Sequence, residues 1–193
     1  STHNSSSAAS DVYKRQSQHT AVDVPELTDV LCGASRPGHF RGVTTVVSKL
    51  LGIVRPHVAA FGAKDLQQVL VIKKMVRDLS INTEIEVVPT VRESDGLAMS
   101  SRNGYLSHDD RALAPLFSLT LEETAKRVAE SGSDIEKAIA ESKATLTEAG
   151  FIVDYLEARR THDLSAASSL NQETAIIGAV LLGTTRLIDN RII

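Results

Sequence analysis

Apolar residues recur at helical spacing in the first patterned part of the chain. From residue 43 to residue 54 they form one stripe of a helix that ends before Pro56. The run HVAAFG, residues 57–62, predicts a short buried strand in a parallel sheet. A second amphipathic helix follows over residues 66–79, and EIEVVPTV, residues 84–91, alternates as a strand. The stripes comprise Val43, Val46, Val47, Leu50, Leu51 and Val54, then Leu66, Val69, Leu70, Ile72, Met75, Val76 and Leu79.

The pattern changes after about residue 100. Ser107 and the acidic residues behind it begin a long helical segment, in which Pro115 predicts a kink or a later true start. A further helix is predicted over residues 133–150. Three apolar runs are then predicted as strands, at residues 151–159, 174–183 and 185–192. The predicted fold class is α/β, with a partial Rossmann-like parallel sheet and flanking helices, followed by a small α+β C-terminal domain.

The first sixteen residues are rich in serine and have no periodicity. One interpretation is a disordered leader. Another is that DVYKRQ, residues 11–16, is the translation of a transposon end used in sequencing libraries, so that native sequence begins near Ser17. We therefore predict a non-native or disordered leader at residues 1–16. The second half of a Rossmann-like nucleotide-binding domain follows at 17–98, and the C-terminal α+β domain at 99–193.

Composition narrows the classes of function. The net charge of −3, without a long basic run, disfavours nucleic-acid binding. No apolar run is long enough to span a membrane, and a single cysteine excludes an internal disulfide. Isolated histidines at 57, 108 and 162 do not support a metal cage. These features predict a soluble cytoplasmic protein.

The segment FGAKDLQQ, residues 61–68, leaves a predicted strand and enters a helix. Ligands bind at the carboxyl ends of parallel strands, and a helix N-terminus offers free N–H groups to phosphate. Lys64 adds a positive charge suited to phosphate, and Asp65 could accept hydrogen bonds from ribose hydroxyls or cap the helix. A plain turn with a cap remains the alternative for this segment.

The segment GLAMSSRNGYL, residues 96–106, follows the next strand. Ser100 and Ser101 offer hydroxyl and N–H groups, and Arg102 offers a forked cation for phosphate oxygens. The same residues could form a turn and a helix N-cap. Because neighbouring strand ends converge, the two segments together favour a nucleotide site over two plain turns.

A third polar segment, GASRPGHFRGV, precedes the first helix. His39, with Arg36 and Arg41, could form a pocket for an anionic substrate. The alternative is that Pro37 and Gly38 make a turn and that His39 only caps the helix.

Four motifs, in order and at their spacing, resemble the pantothenate synthetase family, the pantoate–β-alanine ligases: GASRPGHFRGV, FGAKDLQQ, VPTVRESDGLAMSSRNGYL and TRLIDN. The resemblance runs from about His19 to Ile193. It implies a Rossmann-like nucleotide-binding domain, a smaller C-terminal domain and a homodimer. It also implies a two-step reaction, in which pantoate and Mg²⁺-ATP give pantoyl adenylate, and β-alanine then displaces AMP.

The resemblance also implies roles for individual residues. Lys64, Ser100, Ser101 and Arg102 would be catalytic, and Gln68 would bind pantoate. The ATP-binding residues would be Gly62, Ala63, Lys64, Asp65, Val91, Met99, Ser100, Ser101 and Arg102.

Two departures from the family pattern matter. Ala63 stands where most relatives carry Glu, and the first half, with its His-x-Gly-His segment, has no counterpart here. We therefore expect a C-terminal fragment that is inactive alone, with most Mg²⁺ ligands in the absent half. The alternatives are another adenylate-forming or nucleotidyl-transferring enzyme of the same superfamily, and a non-catalytic nucleotide-binding remnant.

Overall fold

The computed structural model describes residues 19–131 and 134–193, so the predicted leader lies outside the described residues. The chain divides into two compact units. One contains the described chain up to Ala60 together with Val71–Glu86, and the other contains Phe61–Leu70 together with Val87–Ile193. The functional division into residues 17–98 and 99–193 stays a prediction.

Two separate sheets and a set of helices make up the described chain. Strands β1 and β2 form a parallel pair, and β3, β4 and β5 form an antiparallel sheet in that order. This arrangement confirms the predicted α/β class. None of the described helices is long and apolar enough to cross a membrane. In chain order the elements are α1 (Leu31–Ser35), α2 (His39–Val54), β1 (Val58–Gly62), the 3₁₀-helix η1 (Ala63–Asp65), α3 (Leu66–Asp78), β2 (Glu84–Val88), the 3₁₀-helix η2 (Ser101–Tyr105), α4 (His108–Leu113), α5 (Pro115–Ser131), α6 (Ile135–Glu148), β3 (Ile152–Arg160), β4 (Thr174–Leu182) and β5 (Thr185–Ile192).

In the first unit, α2 buries a different face from the predicted stripe. Leu50 and Val54 are 39% and 67% exposed. Two threonines take buried positions because their hydroxyls are satisfied: Thr44 Oγ1 donates to the Val22 carbonyl at 2.6 Å, and Thr45 Oγ1 accepts from the Val22 N–H at 3.0 Å. The buried residues of α2 are Phe40, Thr44, Thr45 and Leu51.

The prediction that β1 is a buried strand is wrong. Its residues alternate between exposed and half-buried, and Val58 is 48% exposed. Within the described residues β1 pairs with β2 alone, so no second strand covers its other edge. Leu79 also departs from its predicted stripe, because α3 ends at Asp78 and leaves Leu79 half-exposed, whereas Val71 is fully buried.

The second unit is built around β4, whose residues are almost all buried. Helix α5 packs on β4 and β5, and α6 packs on β3. A Cβ at Gly178 would lie 2.9 Å from Leu156 Cδ1 and 3.0 Å from Phe117 Cε2, so the glycine allows this close packing. The break expected at Pro115 is confirmed, because α4 ends at Leu113 and α5 begins at the proline.

The last strand of this unit, β5, contacts α5 and both 3₁₀-helices. Asp189 and Asn190 are consecutive residues of β5, so their side chains point to opposite faces of the sheet. Both residues are buried. The strand therefore places two polar side chains where they can reach different segments of the unit.

Candidate functional site

The chain turns from β1 directly into α3 through η1, so Ala63, Lys64 and Asp65 occupy a single tight turn. Gly62 is the N-cap of η1, and because glycine has no side chain, no side chain caps this helix. Asp65 is exposed, and its carboxylate accepts no hydrogen bond from the described residues. Both interpretations of Asp65, as a contact for ribose and as a cap of α3, stay predictions.

The segment between β2 and η2 is a hairpin. The Met99 N–H donates to the Val91 carbonyl at 2.9 Å, and the Glu93 N–H donates to the Leu97 carbonyl at 2.8 Å. Gly96 makes the reversal at φ +86°, a conformation that favours glycine. Val91 and Met99 are 62% and 54% exposed, so both predicted ATP contacts lie at the surface.

The Ser-Ser-Arg segment follows this hairpin directly. Ser100 is the N-cap of η2, and its Oγ accepts from the Arg102 N–H at 3.2 Å, which confirms the capping interpretation for this serine. Ser101 and Arg102 are exposed. Among the described residues the Arg102 guanidinium forms no hydrogen bond or ion pair. A free guanidinium thus stands at the start of a short helix.

Lys64 reaches this second segment across the unit. Its Nζ donates to the Met99 carbonyl at 3.2 Å. Burial lowers the pKa of Lys64 below its ordinary value of 10.5, and it is the largest effect on this amine. The nearby carboxylates of Asp65 and Asp189 act in the opposite direction and raise the pKa. The nearby cations of Arg102 and Arg92 lower it further. The two strand-end segments predicted to converge do so, at the contact between Lys64 Nζ and the Met99 carbonyl.

Gln68 lies in the first turn of α3, one helical turn after Lys64. It is half-buried, and its side chain makes no hydrogen bond within the described chain. Its amide is therefore available to a ligand that also contacts Lys64.

An ionic cluster anchors η2 and the hairpin. Asn103 Nδ2 donates to Glu93 Oε1 at 2.7 Å, and the Arg111 guanidinium contacts Glu93 Oε2 and Asp95 Oδ2 at 2.6 Å each. The hydrogen bond from Asn103, followed by that from Arg111, lowers the pKa of Glu93. Arg111 likewise lowers the pKa of Asp95.

The sequence prediction assigned no role to a buried group on β5. Asp189 is paired at two points with Arg92, at 2.7 and 2.9 Å, and Arg191 Nη1 contacts the same carboxylate at 3.1 Å. Asn190 Nδ2 donates to the carbonyls of Ala63 and Lys64. The available signal was the pair of polar residues inside the apolar strand TRLIDNRI.

Arg36 and His39 lie in the first unit. Arg36 Nη1 is 3.2 Å from His39 Nε2. His39 does not cap α2, because Gly38 is the N-cap, at φ +77°. The cavity beside Arg36 is also lined by Arg41 and by the carboxylates of Asp23 and Asp29, so its charged lining is mixed. The anionic pocket stays a prediction.

Metal ligation has little support in the described residues, where no group of three or more His, Cys, Asp or Glu side chains could hold an ion. Near Lys64, the carboxylate of Asp189 is already paired with two arginines, so Asp65 is the remaining carboxylate that could contact a metal ion. Asp65 alone is not a protein cage for Mg²⁺, which in nucleotide sites is held by one or two carboxylates together with the phosphates of the substrate.

Sequence comparison points to one family. The sequence model of the pantoate-beta-alanine ligase family matches residues 7–192. Pantothenate synthetase of Shewanella oneidensis is 51% identical over 177 residues, which cover 92% of this chain and 63% of the relative. Pantothenate synthetase of Shewanella sediminis is 52% identical over the same shares of the two chains.

Solved structures agree with the sequence. The crystal structure of pantothenate synthetase from Thermus thermophilus matches with a TM-score of 0.86 and 41% identity, over 92% of this chain and 64% of that chain. The pantoate-beta-alanine ligase of Francisella tularensis, complexed with beta-gamma ATP and beta-alanine, matches with a TM-score of 0.71 and 34% identity, over 94% and 60%. The chain spans less than two thirds of the length of these relatives. By sequence and by structure, the chain belongs to the pantoate-beta-alanine ligase family.

Proposed function

We propose that this chain provides the phosphate-binding part of the active site in the ATP-dependent condensation of pantoate with β-alanine to pantothenate. The observation that carries the proposal is the contact of Lys64 Nζ with the Met99 carbonyl, beside the exposed Arg102. Arg102 lies three residues after Met99 in the same segment, and a polyphosphate that reaches both residues would be bound by two cations.

The chemistry requires charge stabilisation rather than a protein nucleophile. A pantoate carboxylate oxygen attacks the α-phosphorus of ATP, and the bond to pyrophosphate breaks to give pantoyl adenylate. Negative charge accumulates on the phosphate oxygens, where Lys64 and Arg102 stabilise it. Ser100 and Ser101 donate hydrogen bonds to the same oxygens. The β-alanine amine then attacks the acyl carbon, and AMP leaves.

The remaining contacts follow from position. Asp65 accepts from ribose hydroxyls, Val91 contacts adenine through its backbone, and Gln68 hydrogen-bonds pantoate one turn away from Lys64. Gly62, Ala63 and Met99 complete the ATP contacts. Mg²⁺ would accompany ATP and neutralise part of its phosphate charge, and among the charged residues that act on Lys64, Asp65 is the one whose carboxylate is not already paired with arginines. A homodimer and a cytoplasmic location are further parts of the proposal.

Calorimetric titration of ATP into the chain tests the phosphate site. We expect Lys64→Ala and Arg102→Ala each to weaken ATP binding at least tenfold, a loss of about 1.4 kcal/mol. Lys137→Ala is the matched control, since Lys137 is exposed on α6. Absence of ATP binding, or binding that neither variant weakens, would overturn the proposal.

An AMP-release assay identifies the reaction. AMP formation that requires both pantoate and β-alanine supports the ligase proposal. Dependence on a different acid or amine would assign the chain to another adenylate-forming enzyme. Binding of ATP without AMP release under any of these conditions fits a fragment that is inactive alone, and equally a non-catalytic remnant.

A further inference from the structure

Asn190 connects the C-terminal strand to the turn that carries Lys64. Its Nδ2 donates to the carbonyl oxygen of Ala63 at 2.9 Å and to that of Lys64 at 3.0 Å. These partners are 127 and 126 residues away in sequence, so the contact forms only in the folded unit. Asn190 is 7% exposed, so water does not readily replace its amide as the hydrogen-bond donor to these two carbonyls.

The geometry of the amide fixes the turn in orientation as well as in position. A primary amide has two N–H groups, and Asn190 uses them on two consecutive carbonyls. One hydrogen bond would leave η1 free to rotate about the contact, whereas two bonds to neighbouring peptide groups restrict that rotation. The turn is thereby held against β5.

Asn190 is itself held by its neighbours. Its backbone pairs with Ile177 of β4, and its N–H donates to Asp189 Oδ1 at 2.8 Å. Asp189 in turn is paired at two points with Arg92, which belongs to the hairpin that ends at Met99. Consecutive residues of one strand therefore hold the two segments that meet at Lys64 Nζ.

We propose that Asn190 is a positioning residue, which holds the Ala63–Lys64 turn in the register that brings the Lys64 amine to the Met99–Arg102 segment. It acts through Lys64 and does not touch the ligand. The inference deepens the proposed function, on which its consequence for ATP binding rests.

The first test is the chemical reactivity of Lys64, which needs no ATP. The rate of labelling by trinitrobenzenesulfonate is measured across pH, with peptide mass spectrometry, in wild type, Asn190→Ala and Asn190→Asp. Lys137 in the same samples is the internal reference. Asp65, Asp189, Arg92 and Arg102 are the charged groups that act on Lys64, and burial keeps its pKa low. In Asn190→Ala we expect the turn to detach, so that burial no longer lowers the pKa of Lys64 and its profile moves to higher pH. In Asn190→Asp the new carboxylate adds to that shift, so the alanine variant is the one that tests detachment.

The second test is ATP affinity, measured by calorimetry. We expect Asn190→Ala to weaken binding about tenfold, and Asn190→Asp at least as much, because aspartate keeps the size but cannot donate. Asn190→Ser, which retains one donor, should fall between the variants and wild type. Asn171→Ala is the matched control, as Asn171 is exposed and bonds only nearby surface groups.

The outcomes separate this inference from the proposed function. Folded Asn190 variants with a wild-type Lys64 profile would overturn the positioning role, even if ATP still binds through Lys64. A purely structural role would lower the unfolding midpoint and leave the Lys64 profile unchanged, which also overturns it. A shifted profile in a chain that does not bind ATP would support the positioning role and reject the nucleotide function. If Asn190→Ala and Asn190→Asp do not fold, the Asn190→Ser profile decides.

Discussion

The guanidinium of Arg92 and the carboxylate of Asp189 form a two-point ion pair between residues that are 97 positions apart, with N–O distances of 2.7 and 2.9 Å. The Asp189 side chain is 2% exposed and that of Arg92 is 25% exposed. Arg191 contacts the same carboxylate at 3.1 Å. A buried pair of this kind adds little net stability, but removing one partner leaves the other desolvated and unpaired.

Replacing Asp189 should therefore destabilise the fold. We expect Asp189→Ala to lower the free energy of unfolding by about 3 kcal/mol or more, because two arginines lose their shared carboxylate. Guanidinium chloride denaturation measures the change. Asp109→Ala is the control, since Asp109 is fully exposed, and it should lower stability far less than Asp189→Ala. A loss below about 1 kcal/mol for Asp189→Ala would contradict a buried ionic anchor.

ATP affinity should depend on the protonation of Lys64. Because burial holds its pKa below 10.5, the amine loses its proton, and its attraction for phosphate, at a lower pH than an exposed lysine. We expect the affinity to fall as the pH rises through that pKa. In Lys64→Arg, which stays charged, the fall should disappear, whereas Lys137→Arg should retain it. Identical pH profiles for wild type and Lys64→Arg would exclude a phosphate contact by Lys64.

The cluster around Arg111 predicts a dependence of stability on acid. The folded pKa values of Glu93 and Asp95 lie below their ordinary 4.5 and 3.8. The stabilisation is complete above those ordinary values, and it is lost as the pH falls through the lowered ones. Wild type should thus exceed Arg111→Gln in stability at pH 7, by a margin that shrinks below about pH 4. Urea denaturation at several pH values measures the margin, and Lys137→Gln should show none. A margin that stays constant with pH would contradict the pairing.

The turn between β4 and β5 requires glycine at residue 183. Gly183 has φ +57°, and a Cβ there would lie 2.7 Å from Asp110 Oδ2. We expect Gly183→Ala to cost about 1–2 kcal/mol of stability, measured by thermal or chemical unfolding. Gly52→Ala is the matched control: a Cβ at Gly52 meets no atom within 4 Å, and a helix-interior alanine should stabilise by about 0.5–1 kcal/mol. Equal effects of the two substitutions would argue against strain at Gly183.

The local pattern of apolar residues predicted most of the helices and strands. The strands after residue 150 and the break at Pro115 followed from apolar runs and from proline chemistry, both of which act within a few residues. Burial was predicted less well. The threonines of α2 are buried because a distant backbone satisfies their hydroxyls, and Val58 of β1 is exposed because the described sheet gives it one neighbour. The distant hydrogen-bond partner and the number of neighbouring strands cannot be predicted from local periodicity.

For the candidate site, the sequence by itself determined the chemical groups and their attachment to strand ends: a lysine turn after β1, and a serine–arginine segment after the β2 hairpin. Only the tertiary structure decided which groups meet. Lys64 reaches Met99 across 35 residues, and Asn190 reaches Lys64 across 126. The physical reason is that a hydrogen bond acts over about 3 Å, so partners far apart in sequence are chosen by the packing of β5 against η1 and η2 and not by spacing along the chain.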